Sequence, residues 1–229
     1  MKRLLLVVML TVSAATGAAQ PGRAGAGVHY LYLIRHGLYD SDDRADDVVG
    51  NGLNALGREQ ARLAADRLAM LPVKMTSLVS SNYRRAVETA DVIGRRLGLA
   101  PVRDSLLHEC TPASDHPADM RGHEPEDAAG CESQLELAWA KYARPSPDAD
   151  ARDVLVCHGN VIRWFVTRAL GADTRLWSAM SIANASLTVI AVRADGSTRL
   201  LMYSDVGHLP AQKQTWTGQG AGWANAPAH

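Results

Sequence analysis

The sequence predicts an α/β protein with a mostly parallel central sheet. Strand-like and helix-like segments alternate along most of the 229 residues, which is the order expected of a parallel sheet. Two short apolar runs, residues 28–34 and 153–157, have the composition of strands buried on both faces. Both runs end abruptly in polar residues, the first in Arg35-His36-Gly37 and the second in His158-Gly159-Asn160. Because ligands usually bind at the carboxyl edge of such sheets, we expect the functional site there.

The composition is that of a soluble globular domain. Hydrophobic residues make up 47% of the chain, and the formal net charge is zero. This charge balance gives no indication of a nucleic acid partner or of an anionic membrane surface. The length suffices for one domain with a full core, and no internal repeat is visible.

Residues 1–19 are expected to form a secretory signal peptide. Lys2 and Arg3 precede an apolar run and then a stretch of small residues, which is the layout of such a segment. The alternative is an uncleaved anchor, but the apolar run is short for a bilayer span. We therefore expect a secreted or periplasmic protein with no stable membrane anchor after cleavage. Residues 20–27 then form a linker to a domain over residues 28–210.

The three cysteines fit neither a zinc pattern nor a disulfide framework. In an oxidising compartment Cys110 and Cys131 can form a bridge. Cys157 lies in the second buried strand and is expected to be a small core residue.

The first half of the domain predicts two helices and a short strand. Asn54 is a suitable N-cap for a helix that runs to about Leu71. Residues 78–81 then form a short strand that leads into a second helix, from about Arg84 to residue 97. Gly98 is well placed to end that helix in the left-handed conformation.

The second half begins with short extended elements at Val102 and before Glu109. Residues 110–130 are rich in Pro, Asp, His and Gly, and they predict a long loop of the kind that is often functional. The remaining predicted elements are a helix over 132–143, a helix over 161–170 capped by Asn160, a hairpin of strands 186–192 and 198–203, and a loose tail over 211–229.

The predicted sheet edge collects two imidazoles, two guanidinium groups and one carboxyl group. They belong to Arg35, His36, Arg85, Glu109 and His158. Two arginines can bind phosphoryl oxygens, and a neutral imidazole can attack phosphorus. A carboxylic acid with a raised pKa can protonate the leaving alkoxide and then activate water. The set therefore indicates phosphoryl transfer.

Metal binding is the rival interpretation of the same edge. His36, His158 and Glu109 are all possible metal ligands. Two arginines in the same pocket would repel a cation, so we expect neither a metal nor another cofactor.

Five motifs carry a resemblance to a known family. The motifs are Leu33-Ile34-Arg35-His36-Gly37 and the segments 53–61, 80–90, 106–109 and 156–160. In this order they resemble the motifs of the histidine phosphatase superfamily, which includes the cofactor-dependent phosphoglycerate mutases and the histidine acid phosphatases. The resemblance covers about residues 28–210.

The resemblance implies a three-layer α/β/α fold like that of phosphoglycerate mutase. It also implies a role for each reactive residue. His36 would be the nucleophile, Glu109 the proton donor, and Arg35, Arg85 and His158 the groups that bind the phosphoryl oxygens. Substrate-binding candidates beside them are Gly37, Tyr39, Gly159 and Asn160.

Two further segments resemble one branch more closely. Residues 157–163 and 205–210 are similar to the mitochondrial branch of the phosphoglycerate mutase family that acts as a Ser/Thr protein phosphatase. Cys110 stands where that branch usually has glycine, and the segment after Glu109 is not recognisably the branch's own. Arg163, at the end of the first segment, either supports the loop at His158 or lies on a polar helix face.

The sequence therefore predicts an exported phosphatase for phosphomonoesters. The alternatives are a Ser/Thr phosphoprotein phosphatase, a mutase-like phosphotransferase and a non-catalytic phosphate-binding module. For a phosphatase, the expected substrate is a small phosphomonoester or a phosphoprotein. The loop over 110–130 carries five carboxylates against Arg121 alone. If that loop covers the pocket, small and weakly charged monoesters should be preferred. The carboxylates are those of Asp115, Asp119, Glu124, Glu126 and Asp127.

Overall fold

The computed structural model describes residues 27–41 and 49–216, and it has a six-stranded sheet with helices on both faces. The predicted signal peptide and nearly all of the linker lie outside these residues. The strands are β1 His29–Arg35, β2 Ser77–Ser80, β3 Val102–Arg103, β4 Ala151–Cys157, β5 Leu187–Val192 and β6 Thr198–Asp205. The α-helices are α1 Ala55–Ala69, α2 Arg84–Leu97, α3 Pro125–Tyr142 and α4 Gly159–Ala169.

The sheet confirms the predicted α/β class with mostly parallel pairing. Its strand order is β3-β2-β4-β1-β5-β6. The first four strands in that order pair in parallel, whereas β5 and β6 form an antiparallel hairpin beside β1. Arg35, the last residue of β1, is in register with Cys157, the last residue of β4. The residues that follow these two strands therefore emerge side by side.

Both faces of the central strands are buried, as the apolar runs predict. Leu31 and Leu33 of β1 pack with α3 and α4, and Tyr32 and Ile34 pack with α1 and α2. This alternation follows from the two-residue period of a strand. It gives the three-layer α/β/α arrangement that the family resemblance implies.

The first two helices end and begin close to the predicted positions. The side chain of Asn54 accepts a hydrogen bond from the Gly57 N–H at 2.8 Å, and Gly98 ends α2 at φ 70°. Gly57 has a second role, since a Cβ added there would lie 2.0 Å from the Leu38 carbonyl oxygen. The backbone of α1 thus packs directly against the chain that follows His36, and only glycine permits this approach.

Three predictions about the ends or types of elements are wrong. Helix α3 begins at Pro125 rather than at residue 132, because proline suits the first helical position and acidic residues suit the first turn. Glu109 follows a short 3-10 helix, Ser105–Leu107, rather than a strand. Asn160 is not the cap of α4, since that helix begins at Gly159 and His158 is its N-cap.

Cys110 and Cys131 form a disulfide bond. The bond ties the loop after Glu109 to α3 and spans a sequence separation of 21 residues. Closing a loop of this size stabilises a folded protein by about 3 kcal/mol. Cys157 is free and fully buried in the core, and burial raises the pKa of its thiol.

The chain remains packed against the domain beyond residue 210. Gln60 of α1 donates to the Lys213 carbonyl at 2.7 Å and to Thr215 Oγ1 at 2.9 Å. Residues 211–216 are therefore held in place, unlike the loose tail that their composition predicts, because a buried amide on α1 supplies their partners. In the described part of the chain, no helix combines the length and apolar character needed to cross a membrane.

Candidate active site

His36 is the first residue after β1, and its side chain is only 1% exposed. Its Nδ1 lies 2.8 Å from the Gly37 carbonyl oxygen. A carbonyl only accepts, so Nδ1 carries the hydrogen and Nε2 has a free lone pair. The Arg85 Nε–H donates to this Nε2 at 3.2 Å. His36 therefore presents a neutral ring whose nucleophilic nitrogen faces an arginine.

The surroundings of His36 keep it neutral. Burial, together with the positive charges of Arg35 and Arg85, lowers its pKa well below the ordinary value. Its backbone carbonyl accepts from the Ala185 N–H at 3.2 Å and from Asn184 Nδ2 at 3.3 Å. Hydrogen bonds thus hold both the ring nitrogens and the backbone carbonyl of His36.

The two arginines come from different elements. Arg35 ends β1, is buried, and donates to the Ile182 carbonyl at 2.6 Å. Burial lowers its pKa to about 10, so the guanidinium stays charged at neutral pH. Arg85 lies in the first turn of α2, and its guanidinium carbon lies 4.8 Å from the ring centroids of Tyr39 and of Tyr83. Aromatic faces thus position the second cation.

His158 lies beside His36, with 5.1 Å between the ring centroids. It is fully buried, and burial lowers its pKa well below the ordinary value, with further lowering from His36, Arg85 and Arg35 nearby. Its Nε2 lies 2.8 Å from Ser81 Oγ, which in turn accepts the Tyr83 N–H at 3.2 Å. Its Nδ1 has no partner among the described residues.

Glu109 lies near three arginines and lines the same cavity as Arg35. Its Oε1 accepts the backbone N–H of Asn160 at 3.1 Å. Desolvation raises the pKa of this carboxyl, even though Arg35, Arg85 and Arg163 act in the opposite direction. The group therefore keeps its proton to a higher pH than an ordinary glutamate does. In the described ranges, no three histidine, cysteine or carboxylate side chains are grouped to hold a metal.

A cavity of about 640 Å³ opens beside Arg35 and Glu109. The loop after Glu109 lines this cavity, but Asp119 is the only one of that loop's five carboxylates in the lining. Asp115 pairs with Arg175 at 3.1 Å, and the other three are exposed around the start of α3. The loop should therefore repel an anionic substrate less than its composition predicts, because four of its five carboxylates lie outside the cavity lining.

The four substrate-binding candidates divide into two groups. Tyr39 and Gly159 line the cavity, and the Tyr39 ring lies edge-on to His36 with 5.4 Å between centroids. The N–H of Gly37 instead donates to Thr89 Oγ1, and its carbonyl accepts from His36, so its polar groups serve the protein. Asn160 borders the cavity, but its side-chain amide is bonded to Cys110 and Arg163.

Several residues of the site are absent from the predicted set. Thr89 accepts a hydrogen bond from the Gly37 N–H. Thr89 follows Arg85 by four residues, and this spacing could have predicted that both side chains lie on the helix face toward the site. Ser81 and Tyr83 position His158 and Arg85 from the segment between β2 and α2. Trp177 and Trp216 also line the cavity. Neither lies in one of the family motifs, so the sequence did not indicate a place in the site for them.

The fold and the family model together define the class of protein. The phosphoglycerate mutase from Plasmodium falciparum has a similar structure, with a TM-score of 0.57, 24% identity, and coverage of 80% of this chain and 95% of that chain. This likeness shows the fold. The family model "Histidine phosphatase superfamily (branch 1)" matches residues 31–114 and 112–205. The chain therefore belongs to the histidine phosphatase superfamily.

Two curated relatives confirm the resemblance to the Ser/Thr phosphatase branch. The chain is 37% identical over 195 residues to "Serine/threonine-protein phosphatase Pgam5, mitochondrial" of Caenorhabditis elegans, which covers 82% of this chain and 66% of the relative. It is 35% identical over 192 residues to the human PGAM5 of the same description, covering 81% and 65%. The chain thus spans about two thirds of the length of these relatives.

Proposed function

We propose that this protein is an exported phosphomonoesterase that transfers the phosphoryl group to His36 and then to water. The observation that carries the proposal is the state of the His36 ring. The Gly37 carbonyl holds the hydrogen on Nδ1, which leaves the lone pair on Nε2, where it faces Arg85 in the presence of a second positive charge from Arg35. A neutral imidazole fixed in this tautomer is a competent nucleophile toward phosphorus.

In the first step His36 Nε2 attacks phosphorus, and the bond between phosphorus and the ester oxygen breaks. Arg35, Arg85 and His158 bind the non-bridging oxygens and stabilise their charge. Glu109, a carboxyl group whose pKa is raised by desolvation, gives its proton to the leaving oxygen. The products of this step are an alcohol, a phosphohistidine and a glutamate carboxylate.

In the second step water attacks the phosphohistidine. The Glu109 carboxylate takes a proton from the water, and the bond between phosphorus and Nε2 breaks. Inorganic phosphate leaves, His36 returns to its neutral state and Glu109 is protonated again. Protons therefore balance over the cycle without any further reactant.

The contact between Arg85 and His36 belongs to the free enzyme. Arg85 donates to the same Nε2 lone pair that must attack phosphorus. The phosphoryl oxygens of a bound substrate offer the guanidinium a charged acceptor instead, and a charge-assisted hydrogen bond is stronger than one to a neutral imidazole. Substrate binding thus frees the nucleophile.

Export is supported by the disulfide, because such bonds persist mainly in oxidising compartments. We expect the protein isolated from its host, with thiols blocked at lysis, to lack residues 1–19 and to carry Cys110 linked to Cys131. Cys157 should react with the blocking reagent only after unfolding, since it is fully buried. Mass spectrometry of the intact and digested protein makes the measurement. A protein that retains its first residues and has a free Cys110 thiol would contradict export, whereas retained residues with an intact disulfide would indicate an uncleaved anchor.

The proposed substrates are small phosphomonoesters rather than phosphoproteins. The names of the relatives favour phosphoprotein, whereas ATP-dependent protein phosphorylation is not expected in the compartment to which a signal peptide would send this protein. The cavity favours small molecules, since its volume of about 640 Å³ exceeds that of a phosphoryl group and lies within the usual range for small-molecule sites. Its walls include Trp177, which can contact the alcohol part of the substrate.

A substrate panel tests this choice. We expect kcat/KM for small phosphomonoesters to equal or exceed that for phosphoserine and phosphothreonine peptides. The measurement is phosphate release from both groups at matched pH and ionic strength. A tenfold preference for the peptides, or about 1.4 kcal/mol in transition-state binding, would show that the phosphoprotein alternative is correct.

A further inference from the structure

Glu109 and the residue after it are held by a single neighbour. The backbone N–H of Asn160 donates to Glu109 Oε1 at 3.1 Å, and Asn160 Nδ2 donates to the Cys110 carbonyl at 2.8 Å. One residue in the first turn of α4 thus fixes both the carboxyl group and the backbone that carries it. The placement of the acid depends on the orientation of the Asn160 amide.

Arg163 determines that orientation. Its Nη2 donates to Asn160 Oδ1 at 2.5 Å, and a guanidinium can only donate. The Cys110 carbonyl can only accept, so the amide group of Asn160 has one satisfied orientation. Without Arg163, the oxygen of that amide would lose its charged donor next to the cavity.

Arg163 is itself held firmly. Its Nε donates to the Gly159 carbonyl at 3.2 Å and its Nη1 to the Met180 carbonyl at 2.9 Å. Its guanidinium carbon lies 4.6 Å from the centroid of the Trp177 ring. All three nitrogens of the guanidinium therefore have protein partners. Arg163 also lines the cavity, but three of its five N–H donors are used by these protein partners, which suits it to orient its neighbours.

We propose that Arg163 is the positioning residue of the proton donor: it orients Asn160, which holds Glu109, and it adds a fixed positive charge beside the carboxyl group. This inference rests on the proposed role of Glu109 as the acid. It decides between the two roles that the sequence leaves open for Arg163, because the guanidinium is directed into the site and not to a polar helix face.

The charge of Arg163 has an effect separate from its hydrogen bonds. The positive groups that face Glu109 are Arg35 from β1, Arg85 from α2 and Arg163 from α4, and each lowers the pKa of the carboxyl. The loop side of the cavity adds Asp119, Arg121 and two histidines, His116 and His123, and Tyr203 faces Arg163. Removing Arg163 should therefore raise the pKa of Glu109 further.

The experiment compares Arg163→Met, which loses charge and donors, with Arg163→Lys, which keeps the charge. Each variant is assayed with an alkyl phosphate, whose leaving group needs a proton, and with p-nitrophenyl phosphate, whose leaving group does not. We expect both variants to lower kcat/KM for the alkyl phosphate about tenfold or more relative to p-nitrophenyl phosphate, because misplacement of the acid matters only for the former.

The pH profile separates the charge from the hydrogen bonds. Activity on the alkyl phosphate falls as the pH rises through the pKa of Glu109. We expect this limb to move up by about half a pH unit or more in Arg163→Met and to stay in place in Arg163→Lys. Arg168→Met is the matched control, since Arg168 lies on the same helix, exposed and paired with Glu136 at 3.4 Å. It should change neither quantity.

Equal losses on both substrates with an unmoved limb would overturn the inference and leave Arg163 a purely structural residue. Glu109→Gln is assayed in parallel. If that variant shows no leaving-group dependence, the proposed function of Glu109 fails; if it does and the Arg163 variants do not, the inference alone fails. Should Arg163→Met not fold, Arg163→Gln supplies the uncharged comparison.

Discussion

Replacing His36 by alanine is expected to lower kcat by about 10⁴-fold or more, the largest effect of any single substitution in the site. His36 supplies the lone pair that attacks phosphorus in the proposed mechanism, and Arg85 marks that nitrogen by donating to it. His158, the neighbouring imidazole, is bonded through Nε2 to Ser81. The loss should therefore be similar for all leaving groups, because every substrate passes through the same phosphohistidine.

Phosphate release measures kcat, and a rapid-quench experiment measures the phosphate bound covalently to His36. Wild-type protein mixed with substrate and quenched in alkali, where phosphohistidine survives, should carry phosphate on His36. The His36→Ala variant should carry none. His36→Gln, a closer match in shape, is the control for folding, and its thermal unfolding should resemble that of the wild type. Full activity in the alanine variant would refute the proposed mechanism.

Glu109→Gln should have an effect that depends on the substrate. Glutamine cannot donate a proton, so we expect kcat/KM for alkyl phosphates to fall about 10²–10⁴-fold. The loss for p-nitrophenyl phosphate should be far smaller. The variant should also lose the limb of the pH profile on which wild-type activity falls as the pH rises, because that limb reports the raised pKa of Glu109.

Glu132→Gln is a matched control for this prediction. Burial also raises the pKa of Glu132, but its carboxyl group accepts from Trp164 Nε1 at 3.1 Å rather than facing the arginines. The ratio of the two substrates should be unchanged in this variant. Equal losses on both substrates in Glu109→Gln would mean that another group is the proton donor.

The parts of the fold that local patterns determine were predictable from the sequence. The apolar runs of β1 and β4 predict buried parallel strands, and the registration of Arg35 with Cys157 brings the residues after them together. Asn54 and Gly98 predict helix ends because capping depends on the residues next to the cap. Arg85 was predictable for the same reason, since its position in the first turn of α2 follows from where that helix begins.

Contacts between distant segments could not be predicted in this way. The side chain of Asn160 resembles a cap in the sequence, but in the structure it reaches a carbonyl 50 residues away. The loop after Glu109 has an acidic composition, yet the direction of each carboxylate depends on backbone geometry. Pro125 marks the start of α3, and a polar first turn conceals that start because caps and loops share the same residue types.

The sheet register sets how the site can vary. Neighbouring strands lie about 4.8 Å apart, and the rings of His36 and His158, which follow two such strands, are 5.1 Å apart. The distance between the two rings thus follows from the pairing of β1 with β4, and it depends little on the neighbouring side chains. The cavity wall, in contrast, comes in part from the loop after Glu109, which is attached by the disulfide, by Asn160 and by bonds to residues 175–178 rather than by sheet pairing. Substitutions in that loop can change which alcohol is accepted while the distance between the imidazoles stays constant, so new substrates can evolve on an unchanged reaction centre.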